Sequence, residues 1–427
     1  MKNKNPIKSS QELRFNLFKL CSKKVNTSNS WLWCEFNPNQ LKNAYLKELK
    51  REDQKKIATR LSKDLKCGRS TIEKHLTKLK QSENNCKLPL IVIASLCDFL
   101  NPKLKKLINH SIISLFFTNR TSNPIKAVHS LSEEFAEFIG AFAADGHFCG
   151  ISPEYYINIS EGHKDSLELL TKKIKKVFNF NSRLTYSQRD HTWRLWIKNK
   201  VICLYFETIL GLKPGKKAAT VHMPEVIKNS SFNIQKAFMR GVFTFDGGVK
   251  TTGSIGLSTR SKFLMEDIKR FLQKERIQHK ITYNKNKDAW TLESSSGRNK
   301  YLLNKWKDYF FQNTSKYKKI QFFLRELEIS NLKQLEELFP LHHHSRITLN
   351  DIYLIIKEIN KGEIEDIMEE IKKRKLPVAT TTLYKYLYIL TKSEMINKEK
   401  ELIKTNKNAF PRVAYSLGDK QTLKCQL

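Results

Sequence analysis

Phe138-Ile139-Gly140-Ala141-Phe142-Ala143-Ala144-Asp145-Gly146 is the stretch that decides the fold, because a second version of it comes later: Met239-Arg240-Gly241-Val242-Phe243-Thr244-Phe245-Asp246-Gly247. Each is an apolar, helix-compatible run with glycine in the third place. Each ends in Asp-Gly, where glycine is expected to break the helix and start a turn. The small residues Gly140, Ala144 and Gly241 are expected to let two such helices approach closely. Phe245 stands where the first copy has Ala144, so the packing there must differ.

The elements after each run also match, which makes this an internal repeat. After the first come a strand (155–160), a helix (164–178), two strands (183–187 and 192–197) and a helix (200–210). After the second come a strand (254–258), a helix (262–274), two strands (280–284 and 289–292) and a helix (300–311). The strands alternate apolar and polar residues, as in Arg183-Leu184-Thr185-Tyr186-Ser187, so each has one buried and one wet face. The helices carry apolar residues three and four apart, for example Leu167, Leu170, Ile174 and Val177. With a short strand after each Asp-Gly, each half reads helix–strand–strand–helix–strand–strand–helix. The repeat extends to a lysine: Asp145 to Lys217 is 72 residues and Asp246 to Lys316 is 70.

The flanks differ in kind. Residues 1–130 are expected to be mainly helical, with either a helix-turn-helix or an ordinary helical hairpin over 54–79 that turns at Cys67-Gly68. Residues 338–427 are expected to form a winged helix. There Ile352–Ile359 and Ile364–Ile371 are amphipathic, Thr380-Thr381-Thr382 caps a third helix, and the segments at Met395-Ile396 and Arg412–Leu417 form the wing. Linkers are expected at 118–130 and 338–346.

The net charge is +35 over 427 residues. The excess is +17 in residues 1–130, +13 in 131–340 and +5 in 341–427, so it runs the length of the chain. Lysines that neutralise phosphates release counterions, so this balance fits a long contact track on a polyanion. No run of 18 apolar residues occurs, which excludes a transmembrane helix. The eight cysteines include no CxxC pair, which argues against zinc and fits a reducing cytoplasm or organelle matrix. His342-His343-His344 is read as a solvated linker rather than a metal site.

The paired segments and the elements behind them resemble the single-chain LAGLIDADG (DOD-type) homing endonucleases, over roughly residues 131–325. The resemblance implies an α+β fold: a pseudo-twofold pair of αββαββα halves, 131–230 and 231–337, in one endonuclease domain, which the flanks as read above would border with helical DNA-binding domains. It implies that Asp145 and Asp246 bind Mg²⁺ or Mn²⁺, one from each half, and that Lys217 and Lys316 lie near the attacking water or the scissile phosphate. The first acid of the usual motif is absent, replaced by Ala143 and Thr244. The chemistry suits such a site, because carboxylates are ligands for hard cations and two close carboxylates repel unless a cation lies between them.

The wet strand faces are expected to form a saddle over duplex DNA, since a β-ribbon can enter the major groove. The candidate contacts are Arg183, Thr185, Ser187, Arg189 and Arg194 in the first half, and Lys280, Thr282, Asn284 and Lys287 in the second. A monomer cutting double-stranded DNA at a specific site is therefore expected. The chain begins with Met1 and ends without His-Asn, so a free-standing enzyme is expected rather than an intein. The alternatives are a non-cleaving DNA-binding regulator and an intron RNA maturase on the same scaffold.

Overall fold

The computed structural model describes residues 14–21, 31–117, 123–151, 154–294, 299–340, 347–404 and 409–418. The histidine run at 342–344, the linker segments 118–122 and 341–346, and Cys425 lie outside them. The chain divides into two compact units: residues up to 246 with 258–271 and 283–290, and 247–257, 272–282 and 291 onward.

The first unit begins with β1 (Leu32–Phe36), α1 (Asn39–Lys47), α2 (Arg51–Asp64), α3 (Arg69–Gln81), β2 (Cys86–Pro89), α4 (Leu90–Leu100), α5 (Pro102–Ser111), β3 (Ile112–Phe117) and β4 (Ile125–Lys126). Helices α1 to α5 outweigh the strands, which form a small sheet of order β2-β1-β3-β4 that the sequence reading did not include. Its strands are short, and Ile112-Ile113-Ser114-Leu115-Phe116-Phe117 is an apolar run that periodicity alone cannot assign. The turn expected at Cys67-Gly68 is present between α2 and α3, with Gly68 as the N-cap of α3. Asn109, buried on α5, fastens the segment before β1. Its Oδ1 accepts from Leu17 N at 2.7 Å and its Nδ2 donates to Phe15 O at 2.8 Å.

The first repeat half comes next as α6 (Glu133–Asp145), β5 (Gly146–Ile151), β6 (Glu154–Glu161), α7 (Lys164–Phe178), β7 (Arg183–Ser187), β8 (Thr192–Ile197) and α8 (Lys200–Leu204). Ser132 caps α6 by accepting from Phe135 N. The sheet order is β5-β6-β8-β7, all antiparallel. Ile157, Ile159, Leu195 and Ile197 bury one face under the helices, and α7 contributes Leu167, Leu170 and Ile174. Gly146 enters β5 directly, so Asp-Gly starts a strand rather than a turn. The helix expected over 200–210 passes into a π turn at Tyr205–Ile209, where Leu210 N donates to Tyr205 O. Tyr205 is fixed there because its hydroxyl accepts from Val128 N at 2.9 Å and donates to Val128 O at 3.2 Å. After α9 (Glu225–Lys228) comes α10 (Phe232–Phe245).

The second half repeats this order with β9 (Gly247–Val249), β10 (Ile255–Thr259), α11 (Lys262–Lys274), β11 (Lys280–Asn284), β12 (Ala289–Ser294) and α12 (Lys300–Lys307), in a sheet of order β11-β12-β10-β9. The likeness reaches single dihedrals. Asn179 and Arg276, 97 residues apart, end their helices at φ +51° and +55°; His191 and Asp288, also 97 apart, turn their hairpins at +50° and +46°. The helix expected over 300–311 stops at Lys307. The chain turns there, burying Phe310 and Phe311 and letting the Tyr309 hydroxyl donate to Glu275 Oε2 at 2.6 Å.

The second unit continues through α13 (Ser315–Leu324), α14 (Leu332–Leu338), α15 (Leu349–Ile359), β13 (Lys361–Glu363), α16 (Ile364–Lys373), α17 (Thr380–Lys392), β14 (Ile396–Lys404) and β15 (Ala409–Leu417). The last three strands order as β13-β15-β14. Thr348 and Asp351 form a capping box on α15. The threonine run does not cap α17: Ala379 is its N-cap and Thr380 its first residue. Among the described residues no helix is long and apolar enough to cross a membrane.

Candidate active site

Two helices carry the candidate carboxylates, and glycine determines how close they come. A Cβ on Gly140 of α6 would run into the Phe238 carbonyl oxygen and crowd Val242 N of α10. A Cβ on Gly241 would run into the Glu137 carbonyl oxygen and crowd Ala141 N. The two sets of contacts are reciprocal: adding 101 to Gly140, Glu137 and Ala141 gives Gly241, Phe238 and Val242. The same shift carries Asp145 to Asp246. The helix ends are therefore matched, with Asp145 the last residue of α6 and Asp246 the C-cap of α10. Asp145 is exposed and Asp246 half-buried.

One polar network crosses this apolar pair. Glu137, buried on α6, is ion-paired with Arg240 on α10 and, at 2.6 Å, with Lys173 on α7. The partner position 238 in the second helix is Phe, so the network has no counterpart. Phe245 is buried, and Ala144, expected to serve packing, is half-buried and offers its carbonyl to Lys217.

Lys217 reaches the end of α6 because its loop is pinned to the edge of β5. Gly215 N donates to Phe148 O at 2.9 Å, and Gly215 adopts φ +100°, a conformation that favours glycine. Downstream, Ser261 donates to the Val221 carbonyl, and Asp267 accepts from Met223 N at 2.9 Å. So held, the Lys217 ammonium donates to Ala143 O at 2.7 Å and Ala144 O at 2.9 Å, two carbonyls of the last turn of α6. Burial pushes its pKa down to about 8, while the Asp246 and Asp145 carboxylates pull it up. Both carboxylates thus act on one ammonium, which puts all three groups in one neighbourhood. Lys316 is buried near the start of α13, with Thr314 as the N-cap. Burial, then the Lys316 charge, lowers its neighbour Lys319 to about 8.

The candidate DNA contacts divide by environment. Arg183 and Arg189 are exposed, as are Lys280, Thr282, Asn284 and Lys287. Arg194 is ion-paired with Asp190 across the hairpin turn, and Ser187 donates to the same carboxylate at 3.2 Å. Thr185 accepts from Trp196 Nε1 at 3.0 Å. Asn284 accepts from Lys287 N at 3.2 Å within its own turn. The residues missed by sequence reasoning are Glu137 and Arg240, and the aromatic residues Tyr156 and Trp196 on the open face of the first sheet. Strand alternation already puts Tyr156 and Trp196 on that face; their proximity needs the register Asn158↔Trp196.

For a hard cation the described residues supply two carboxylates and no cluster of three His, Cys, Asp or Glu. That set does not suit a closed zinc site. It fits Mg²⁺, which keeps several waters and takes one or two carboxylates plus substrate phosphate.

Comparison with known proteins gives partial matches. A 173-residue stretch is 32% identical to the replication factor C small subunit of Methanocaldococcus jannaschii, covering 39% of this chain and 9% of that protein. A crystal structure of I-DmoI in complex with DNA and Mn is similar at 19% identity and TM-score 0.31, over 38% of this chain and 89% of that one. The homing endonuclease I-WcaI bound to its DNA recognition sequence is similar at 14% identity and TM-score 0.32, over 45% and 87%. The N-terminal LAGLIDADG domain of DUF199/WhiA is similar at 13% identity and TM-score 0.30, over 48% and 86%. Residues 233–305, which hold the second motif helix, its sheet and α12, match the family model of the LAGLIDADG-like domain.

Proposed function

We propose that this chain is a site-specific, metal-dependent endonuclease of duplex DNA, built as two LAGLIDADG halves related by a pseudo-twofold axis between α6 and α10. The observation that carries this reading is the reciprocal glycine packing of two helices that each end in an aspartate, with the Lys217 ammonium seated on the two carbonyls just before Asp145. Asp145 and Asp246 would hold Mg²⁺ or Mn²⁺. When bound, such an ion supplies positive charge to the phosphate oxygens and the leaving oxygen and acidifies a water. Asp145 and Asp246 orient that water by accepting its hydrogens. The Lys217 ammonium, fixed on two carbonyls, keeps a proton for the scissile phosphate or its leaving group. Lys316 is assigned the matching place for the second strand, on its nearly equal register from Asp246.

The exposed basic side chains of β7, β11 and their turns are read as phosphate and base contacts. The C-terminal order helix–strand–helix–helix–strand–strand, with the first strand pairing the last, supports reading residues 347–417 as a winged helix that adds contacts on one flank. The α2–turn–α3 hairpin supports a helix-turn-helix on the other flank. Selection of cleaved duplexes from a randomised library, with Mg²⁺ and with chelator, tests the reading. Enrichment of one long site only with Mg²⁺ is expected. Binding of a specific site with no strand cut under either condition would replace the enzyme by a regulator.

A further inference from the structure

The open face of the first sheet holds an aromatic patch at its centre, where the second sheet has charge. Trp196 on β8 and Tyr156 on β6 pack ring to ring, 5.3 Å between centroids. His147 on β5 extends the row, 6.0 Å from Tyr156. Beneath them Asn158, opposite both His147 and Trp196 in register, is only 8% exposed and donates to Leu195 O. The indole N–H is already used on Thr185, so the indole presents only apolar ring surface outward. The Lys198 ammonium lies 5.6 Å from the indole centroid, and Arg183 is exposed opposite Trp196 in register. In the second half, by the 97-residue offset that relates Tyr186 to Tyr283 and Trp193 to Trp290, the place of Trp196 is taken by Glu293. Glu293 is ion-paired with Lys250 at 2.6 Å.

A rigid apolar wall flanked by cations has one complement on a duplex. The major-groove edges of the bases are donors and acceptors except for the thymine C5-methyl group. We propose that Trp196 and Tyr156 are specificity-determining residues that read thymine methyl groups in one half-site only, while the half-site facing β10–β12 is read by polar and charged groups. This rests on the endonuclease reading of the same sheets. Lys198 and Arg183 would hold the neighbouring phosphates and keep the backbone in register for the rings.

The test uses the full chain and the duplex it selects from a randomised library. Thymines are replaced by deoxyuracil, which removes only the methyl group, in one half-site at a time. Affinity should fall by about fourfold for each contacted methyl group in one half and stay unchanged in the other. Replacing cytosine by 5-methylcytosine at a disfavoured position in that same half should recover part of the binding. In Trp196→Ser with Tyr156→Ser, deoxyuracil and thymine duplexes should bind alike. A wild-type chain that binds deoxyuracil and thymine duplexes equally in both halves overturns the proposal, whatever the variant does. Failure to select any duplex overturns both this proposal and the endonuclease reading. A selected, cleaved site that is indifferent to the methyl groups overturns this proposal alone.

Discussion

Lys217 ties the candidate chemistry to the backbone. Its ammonium rests on the Ala143 and Ala144 carbonyls, and its proton affinity is set by burial against two carboxylates. In the metal-free protein its Nζ should titrate at about 8, readable by lysine-detected NMR. Asp246→Asn and Asp145→Asn should each lower that value further, because each removes an anion that favours the charged form. The folded value lies below the ordinary 10.5, so the unfolded chain holds this proton through the interval between them. Stability of the metal-free protein should therefore rise as pH goes from about 8 to about 10.5. In Mg²⁺, either Asp→Asn change should slow double-strand cleavage by more than about 100-fold, beyond what loss of a mere partner of a metal ligand costs. Full cutting by the double variant in a single-turnover assay would remove both aspartates from the site. Lys217→Ala should slow cleavage more than it weakens binding at one salt concentration. The lysine was legible in the sequence from its distance to Asp145, since the repeat supplied a second lysine at nearly the same distance. Its seat on two carbonyls was not legible, because it depends on the bridge between Phe148 and Gly215.

Among the elements, α6 and α10 are the pair on which the site depends. Gly140→Ala and Gly241→Ala each pit two effects against one another. Alanine favours a helix over glycine by about 1 kcal/mol. Overpacking against a carbonyl costs about 1–3 kcal/mol, and here the obstacle is backbone that cannot rotate away. Packing should win, so each variant should lose stability in urea unfolding and lose cleavage more than binding. A gain in stability would show that the helices have room. Glu137→Gln removes the buried carboxylate that Arg240 and Lys173 share, but both cations keep some access to water and Arg240 keeps Glu133, so the loss of stability should fall below the roughly 3–5 kcal/mol of a fully buried broken pair. The strands and helices of this region were readable because period and repeat agreed: α7, β7, β8, α11 and β11 begin and end where the alternation of residues says. The N-terminal sheet was not, because β1 and β2 are four or five residues long and acquire meaning only by pairing.

The whole molecule should bind as one chain per duplex, on a long site with unlike halves. Sedimentation of the complex checks this, and two chains per duplex would contradict it. Exposed Lys398 and Lys400 on β14 should reach phosphates outside the central site. Replacing both by Ala should weaken binding and flatten the dependence of log affinity on log salt by about 0.9 for each phosphate no longer neutralised. The pairing of buried Glu137 with half-buried Arg240 has a consequence for descent. Under the 101-residue shift, Glu137 corresponds to Phe238 and Arg240 to Ile139. If two copies of the first half met each other, Glu137 would find Ile139 where Arg240 now lies. If two copies of the second half met, Arg240 would find Phe238. The first homodimer leaves each Glu137 with Lys173 alone, and the second leaves each Arg240 without Glu137 and Glu133, so both lose the ion pair that the unlike helices share. Whatever ancestor paired two identical halves, these two have since become lock and counter-lock. Separated, either half should pair less readily with a copy of itself than with its sibling.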